Sequence, residues 1–174
     1  GIDLSVGSVM AFSGSVLGLA MVDAGLPLAA ALPLAMITGA ICGWVNGFVS
    51  VRFRVASFIV TLGMMQIARG LAFLATDSET RYIGKPVEAL GAPLGGLGLS
   101  PAILIALILV VAGQIVLRRT VFGRRVLVVG ANEEAAIYSG IDTRPVRIAA
   151  FVLAGALAGL AAAFDCAKLG WVAT

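Results

Sequence analysis

Residues 24–54 read AGLPLAAALPLAMITGAICGWVNGFVSVRFR, with no charged side chain between Asp23 and Arg52. A bilayer core of about 30 Å needs roughly 20 apolar residues in one helix, so the stretch is long enough to cross a membrane. Gly39, Gly43 and Gly47 recur every four residues. That spacing puts them on one helix face, where backbones can approach closely. Pro27 and Pro33 each remove a backbone donor, so the span is expected to start as a short re-entrant or broken segment. Arg52 and Arg54 close it.

The whole 174-residue chain has the same character, with 60% hydrophobic residues, only 12% charged and a mean hydropathy of +1.08. Soluble domains carry roughly 25% charged residues, and one of this size leaves about 30% of its unfolded surface in water. The few charges here cannot cover that surface, so the expected surroundings are a lipid bilayer. There is no histidine, which removes the usual imidazole base, most zinc sites and the Ser/His/Asp triad. No catalytic group and no metal site are expected. Cys42 and Cys166 sit in apolar runs, the setting of buried thiols. The net charge of +3 comes from arginines bunched between apolar runs without interleaved aromatic residues. No nucleic-acid partner is expected from such a pattern.

Charged residues divide the chain into five apolar runs, 4–22, 24–51, 55–76, 101–117 and 148–164, which predicts an all-α polytopic transmembrane helix bundle. Arginine favours the cytoplasmic side of short loops. Arg52 and Arg54 put the second loop inside, and 118–147 has six arginines against Glu133, Glu134 and Asp142. Residues 77–98 then fall outside, with the N-terminus inside and the C-terminus outside. No run has the basic leader and small-residue cleavage site of a signal peptide. The odd number of spans and the abrupt ends lead to the expectation of a fragment truncated at both ends.

Glycines four apart also occur as Gly14 and Gly18 in the first run and Gly155 and Gly159 in the last, again read as helix-packing faces. Polar residues inside the runs cost free energy unless paired or wetted. Asp3, Ser5, Ser8, Asn46, Thr61, Gln66 and Arg69 are therefore candidates to line a translocation path, with Gln114 a further polar residue in the fourth run. The alternatives are local: hydroxyls bonded to the preceding turn, Asp3 capping the first helix, and Arg69 snorkelling to the outer headgroups.

The segment 118–147 reads as a basic turn, a short apolar stretch, a capped short helix and a glycine stop. Asn132 suits the N-cap, Glu133 and Glu134 suit a first turn, and Gly140 suits the C-cap. Such a helix either rests on the headgroups or docks a cytoplasmic partner.

Three stretches resemble a known family. They are Gly1-Ile2-Asp3-Leu4-Ser5-Val6-Gly7-Ser8, then Phe58-Ile59-Val60-Thr61-Leu62-Gly63-Met64-Met65 with Ala68-Arg69-Gly70, and Phe122-Gly123-Arg124 continuing through Asn132, Glu134-Ala135-Ala136 and Ser139-Gly140-Ile141. In this order they are similar to the permease subunits of bacterial ABC importers of the ribose, xylose and galactose type. The resemblance covers essentially all 174 residues. It implies a single permease domain over 1–174 in the bacterial inner membrane, forming the path for a monosaccharide. The implied partners are a second permease copy, cytoplasmic ATP-binding subunits and a periplasmic sugar-binding protein. No phosphate-binding glycine-lysine-serine loop is present, so ATP and Mg are expected on the partner ATPase, with no cofactor bound by this chain. Gly123, Arg124, Asn132, Glu134, Ala135, Ala136 and Gly140 are the implied ATPase-coupling residues. Ala131 and Glu133 depart from the family's usual glycine and proline, and 77–98 matches poorly. The alternatives are a related permease for another small solute, such as a nucleoside, an autoinducer or a branched-chain amino acid, or a non-transport membrane subunit. An intramembrane enzyme would need paired acids, histidines or a metal set.

Overall fold

The computed structural model describes residues 1–76, 81–82, 100–169 and 171–172; apart from Arg81 and Tyr82, the loop expected outside the membrane lies beyond these residues. The described residues form seven helices: α1 Val6–Val22, α2 Leu28–Arg52, α3 Ser57–Thr76, α4 Pro101–Arg119, α5 Val121–Ala131, α6 Glu133–Tyr138 and α7 Thr143–Leu169. Two short strands, β1 Arg81–Tyr82 and β2 Trp171–Val172, pair antiparallel with Arg81 opposite Val172. The helices α2, α3, α4 and α7 are long and apolar enough to cross a bilayer, while α1 is a shorter apolar helix of 17 residues. The architecture is an all-α polytopic bundle.

Burial runs opposite to that of a soluble protein. Alanines, serines and glycines occupy the interior, whereas Ile37, Ile41, Trp44, Ile67 and Leu74 are exposed. In lipid no hydrophobic force drives large side chains inward, and helix association rests on close backbone packing by small residues. Leu17, Ala20, Ala31, Ala35, Ala163 and Cys166 form one cluster, and Val9, Cys42, Met64, Ala68 and Ala158 form another.

The tightest seam joins α2 to α7. A Cβ placed on Gly39 would collide with the Gly155 carbonyl, one on Gly43 with the Phe151 carbonyl, and one on Gly159 with the Ala35 carbonyl. At Gly47 it would come within 2.9 Å of the Ile148 Cα. The glycine ridge therefore meets main chain, and only hydrogen fits at these positions. Gly14 of α1 fits against Cys166 of α7 more loosely, at 3.3 Å from the Sγ.

Several local readings are revised. Helix α2 is continuous from Leu28 through Pro33, with Pro27 at its N-cap, so its start is neither broken nor re-entrant. The Pro27 carbonyl accepts the amides of Ala30 and Ala31, which stabilises the first turn despite the nearby prolines. The apolar stretch after Arg125 belongs to a full helix, α5, because Thr120 caps it by accepting the Gly123 N–H at 3.0 Å. Helix α4 has no buried residue and touches the described bundle chiefly through α5.

Candidate functional site

The segment before α1 enters the bundle without regular secondary structure, and its amides need partners there. The Ile2 N–H donates to Ser57 Oγ at 3.0 Å, and the Leu4 N–H donates to Thr61 Oγ1 at 3.1 Å. Thr61 Oγ1 in turn donates to the Phe58 carbonyl at 3.2 Å. Asp3 Oδ1 accepts both the N–H and the Oγ–H of Ser5, at 2.9 and 2.7 Å. Asn46 Nδ2 then donates to Ser5 Oγ at 2.9 Å. Asp3, Ser5, Asn46 and Thr61 are thus brought into one knot that ties the N-terminal segment to α2 and α3. Ser5, Asn46 and Thr61 are fully buried, and Asn46 Oδ1 has no partner. The pocket beside Asn46 has no room for a water. In this arrangement the four residues hold the segment in place.

Ser8 and Arg69 instead line a cleft of about 740 Å³ between α1, α3 and α7, together with Leu4, Met65, Phe73 and Asp165. Asp165 is a site residue that sequence reasoning missed. It was counted as a span boundary, yet α7 runs on to Leu169 and carries it into the cleft wall. The signal lay in the apolar Cys166 and Ala167 that follow it. Both charged residues are exposed, and no ion pair joins them. A cation, an anion and a hydroxyl around one apolar cleft can offer donors and acceptors to a polar solute. Gln66 is exposed and lines neither the cleft nor the knot; Gln114 on α4 is likewise exposed.

At the arginine-rich end, α4 turns sharply into α5. A Cβ on Gly123 would overlap the Val116 carbonyl and Leu117, so glycine is required at the corner, while Arg124 beside it is exposed. Asn132 Oδ1 accepts the Ala135 N–H at 3.0 Å and caps α6. Gly140, at φ 76, lets the Ile141 N–H return to the Ala136 carbonyl at 3.0 Å, which closes the helix. Glu133 accepts from Arg147 Nη1 at 3.0 Å and from Thr143 Oγ1 at 3.2 Å. Arg147 also donates to Ser50 Oγ at 3.4 Å, so α6 is linked through α7 to the end of α2.

The expected coupling residues on α6 do not share one face. Ala136 is fully buried against the protein's own helices. Glu134 and Ala135 are exposed, and so are Ile137 and, at 90%, Tyr138. The reason is helical geometry: adjacent residues differ by about 100°, so Ala135 and Ala136 cannot share a face.

Small and hydroxyl residues inside, large apolar side chains outside and four helices of spanning length define a polytopic helical membrane protein, with a charged cleft between α1, α3 and α7 and an exposed short helix, α6. Residues 1–173 match the family described as branched-chain amino acid transport system / permease component, and the chain belongs to that family. It is 38% identical to the L-arabinose ABC transporter permease protein AraH of Azospirillum brasilense over 92% of this chain and 47% of that protein. It is also 38% identical to the ribose import permease protein RbsC of Bacillus subtilis, over 97% of this chain and 53% of that one. The autoinducer 2 import system permease protein LsrC of Yersinia pseudotuberculosis is 33% identical over 98% and 48% of the respective chains. The chain spans about half the length of these relatives. No solved structure matches it. The family and these relatives are transport permeases, not enzymes, and the chain is a multi-pass protein of the bacterial plasma membrane.

Proposed function

We propose that the chain forms part of the permease subunit of an ABC importer that carries a monosaccharide through the bacterial inner membrane. Relatives named for L-arabinose and ribose support a sugar as the solute. The structural observation that carries the reading is the cleft in which Ser8, Arg69 and Asp165 present unpaired polar groups among apolar helices. Sugar hydroxyls both donate and accept, so a guanidinium, a carboxylate and a hydroxyl can replace the water lost on entry. The relative named for autoinducer 2 supports a second reading, with another small polyhydroxylated solute in the same cleft.

In this reading the arginine-rich end is cytoplasmic, a second permease copy completes the path, and a periplasmic binding protein delivers the sugar. ATP and Mg bind the partner ATPase, and α6 docks on it through Glu134, Ala135, Ile137 and Tyr138. The Glu133–Arg147–Ser50 linkage would pass a displacement of α6 to α7 and α2. ATP drives the cycle only through its different affinity for the two arrangements of the helices.

The test uses the complete transporter in cells. Asp165→Asn should lower uptake of labelled sugar by about tenfold, the loss of one charge-assisted contact, at unchanged permease abundance. Ala135→Arg and Tyr138→Asp should abolish uptake and substrate-stimulated ATP hydrolysis without loss of insertion. Wild-type uptake in Asp165→Asn would remove the cleft from the path, and wild-type coupling in both α6 variants would remove the docking assignment.

A further inference from the structure

At the arginine-rich end, a second cleft of about 370 Å³ lies between the end of α2 and the start of α7. Arg52 from the last turn of α2, Arg54 from the link to α3 and Arg144 from the first turn of α7 all line it, with Phe48, Val51 and Ile148 as its apolar wall. Three cations sharing one small cleft repel one another unless an anion joins them. Among the described residues no carboxylate is ion-paired with any of the three, whereas Arg147, one turn along α7, is held by Glu133. Asp142, the nearest acid in sequence, accepts the Arg144 backbone N–H at 3.0 Å.

Arg54 adds a second observation. Its backbone is in the left-handed region, at φ 55, the only residue other than glycine with a positive φ among those described. Glycine or asparagine adopts that conformation more readily, so the arginine is not there for the turn. It is one of the residues that line the cleft.

A third observation concerns what lies beyond the charges. Phe48 stacks on Trp44 at a ring separation of 5.1 Å, and the row continues through Ile41 to Ile37, each residue exposed. These positions fall on one stripe of α2, about 16 Å long at the rise of a helix. The ligand that fits has an anionic head and a hydrocarbon tail.

We infer that this cleft binds an anionic phospholipid, its phosphodiester held by Arg52, Arg54 and Arg144 and one acyl chain lying along Phe48, Trp44 and Ile41. A free phosphate would use the arginines but leave the apolar stripe unexplained. A basic cleft between spanning helices at the membrane surface is suited to such a headgroup, and the stripe from Phe48 to Ile41 runs from it toward the middle of α2, where an acyl chain would lie. The inference needs the chain in a membrane but does not depend on which solute is carried.

The test is lipid retention by the intact transporter, purified in mild detergent and exchanged into phosphatidylcholine with a minor fraction of phosphatidylglycerol. Native mass spectrometry should find phosphatidylglycerol retained over phosphatidylcholine by about tenfold, the scale of two to three basic contacts partly screened. Arg54→Asn and Arg144→Gln should each cut that preference several-fold, and Arg54→Asn should do so at an unchanged or raised melting temperature. Arg118→Gln with Arg119→Gln, charges on α4 away from the cleft, should leave it intact. Trp44→Ala should weaken retention of the lipid several-fold, because the acyl chain loses its contact on α2, and unchanged retention in that variant would overturn the placement of the chain along the stripe. Equal retention of both lipids by the wild type, or full preference in the Arg52→Gln, Arg54→Asn, Arg144→Gln triple variant, would overturn the inference. Displacement of the lipid by micromolar inorganic phosphate would overturn it in favour of a free-anion site.

Discussion

Replacing Gly43 by alanine adds one carbon to α2 at the point where it crosses α7. That carbon would overlap the Phe151 carbonyl and lie within 3.2 Å of the Val152 Cα. Main-chain atoms cannot rotate away, so the helices must part by about 1 Å, and a gap of that size forfeits up to half of each dispersion contact across the seam. Overpacking of this kind costs about 1–3 kcal/mol, offset by about 1 kcal/mol of better helix propensity. The same change at Gly63 on α3 meets nothing within 4 Å and retains only the propensity gain. The two variants should therefore differ by about 2 kcal/mol, a factor of roughly 30 in the unfolding equilibrium. The assay is reversible unfolding in mixed micelles, read by tryptophan fluorescence, with gel filtration to check the folded yield. If Gly43→Ala were as stable as Gly63→Ala, the close α2/α7 contact would be wrong.

Thr61→Val should destabilise by about 1–3 kcal/mol, because the Leu4 amide loses its acceptor, and Thr61→Ser should restore most of it in the same assay. The Glu133–Arg147 pair is partly exposed, at 42% and 30%, so a double-mutant cycle with glutamines should give a coupling below about 1 kcal/mol that fades in high salt. Gly123→Ala should distort the α4–α5 corner, seen as a loss of folded yield exceeding that of Gly130→Ala, whose Cβ would meet nothing. With Cys42 and Cys166 replaced, an impermeant thiol reagent on spheroplasts should label Ala24→Cys and spare Ser139→Cys; the reverse pattern would invert the proposed orientation.

The membrane-spanning class was legible because it depends on composition along short windows. A run such as 24–51 has no charge to leave in water, and that holds in any tertiary arrangement. The ends of α6 were legible for a similar reason: Asn132 and Gly140 act on amides and carbonyls within a turn of themselves. The glycine ridge of α2 could be seen as a packing face, but not its partner. Gly63 and Gly70 on α3 look equally free of side chains in the sequence and meet nothing in the structure.

Only the tertiary structure decided which polar residues meet. Ser5 reaches Asn46 across 41 positions and Leu4 reaches Thr61 across 57, distances that no local spacing encodes. It also turned Ala136 inward and Tyr138 outward, and carried Asp165 to the cleft of Ser8 and Arg69. The physical reason is the solvent. In water, polarity tells the two faces of a helix apart, but lipid is as apolar as a leucine-lined interior, so an isoleucine on α2 is equally at home facing either. What remains to choose the buried face is shape and pairing between helices, and those exist only once the chain has packed.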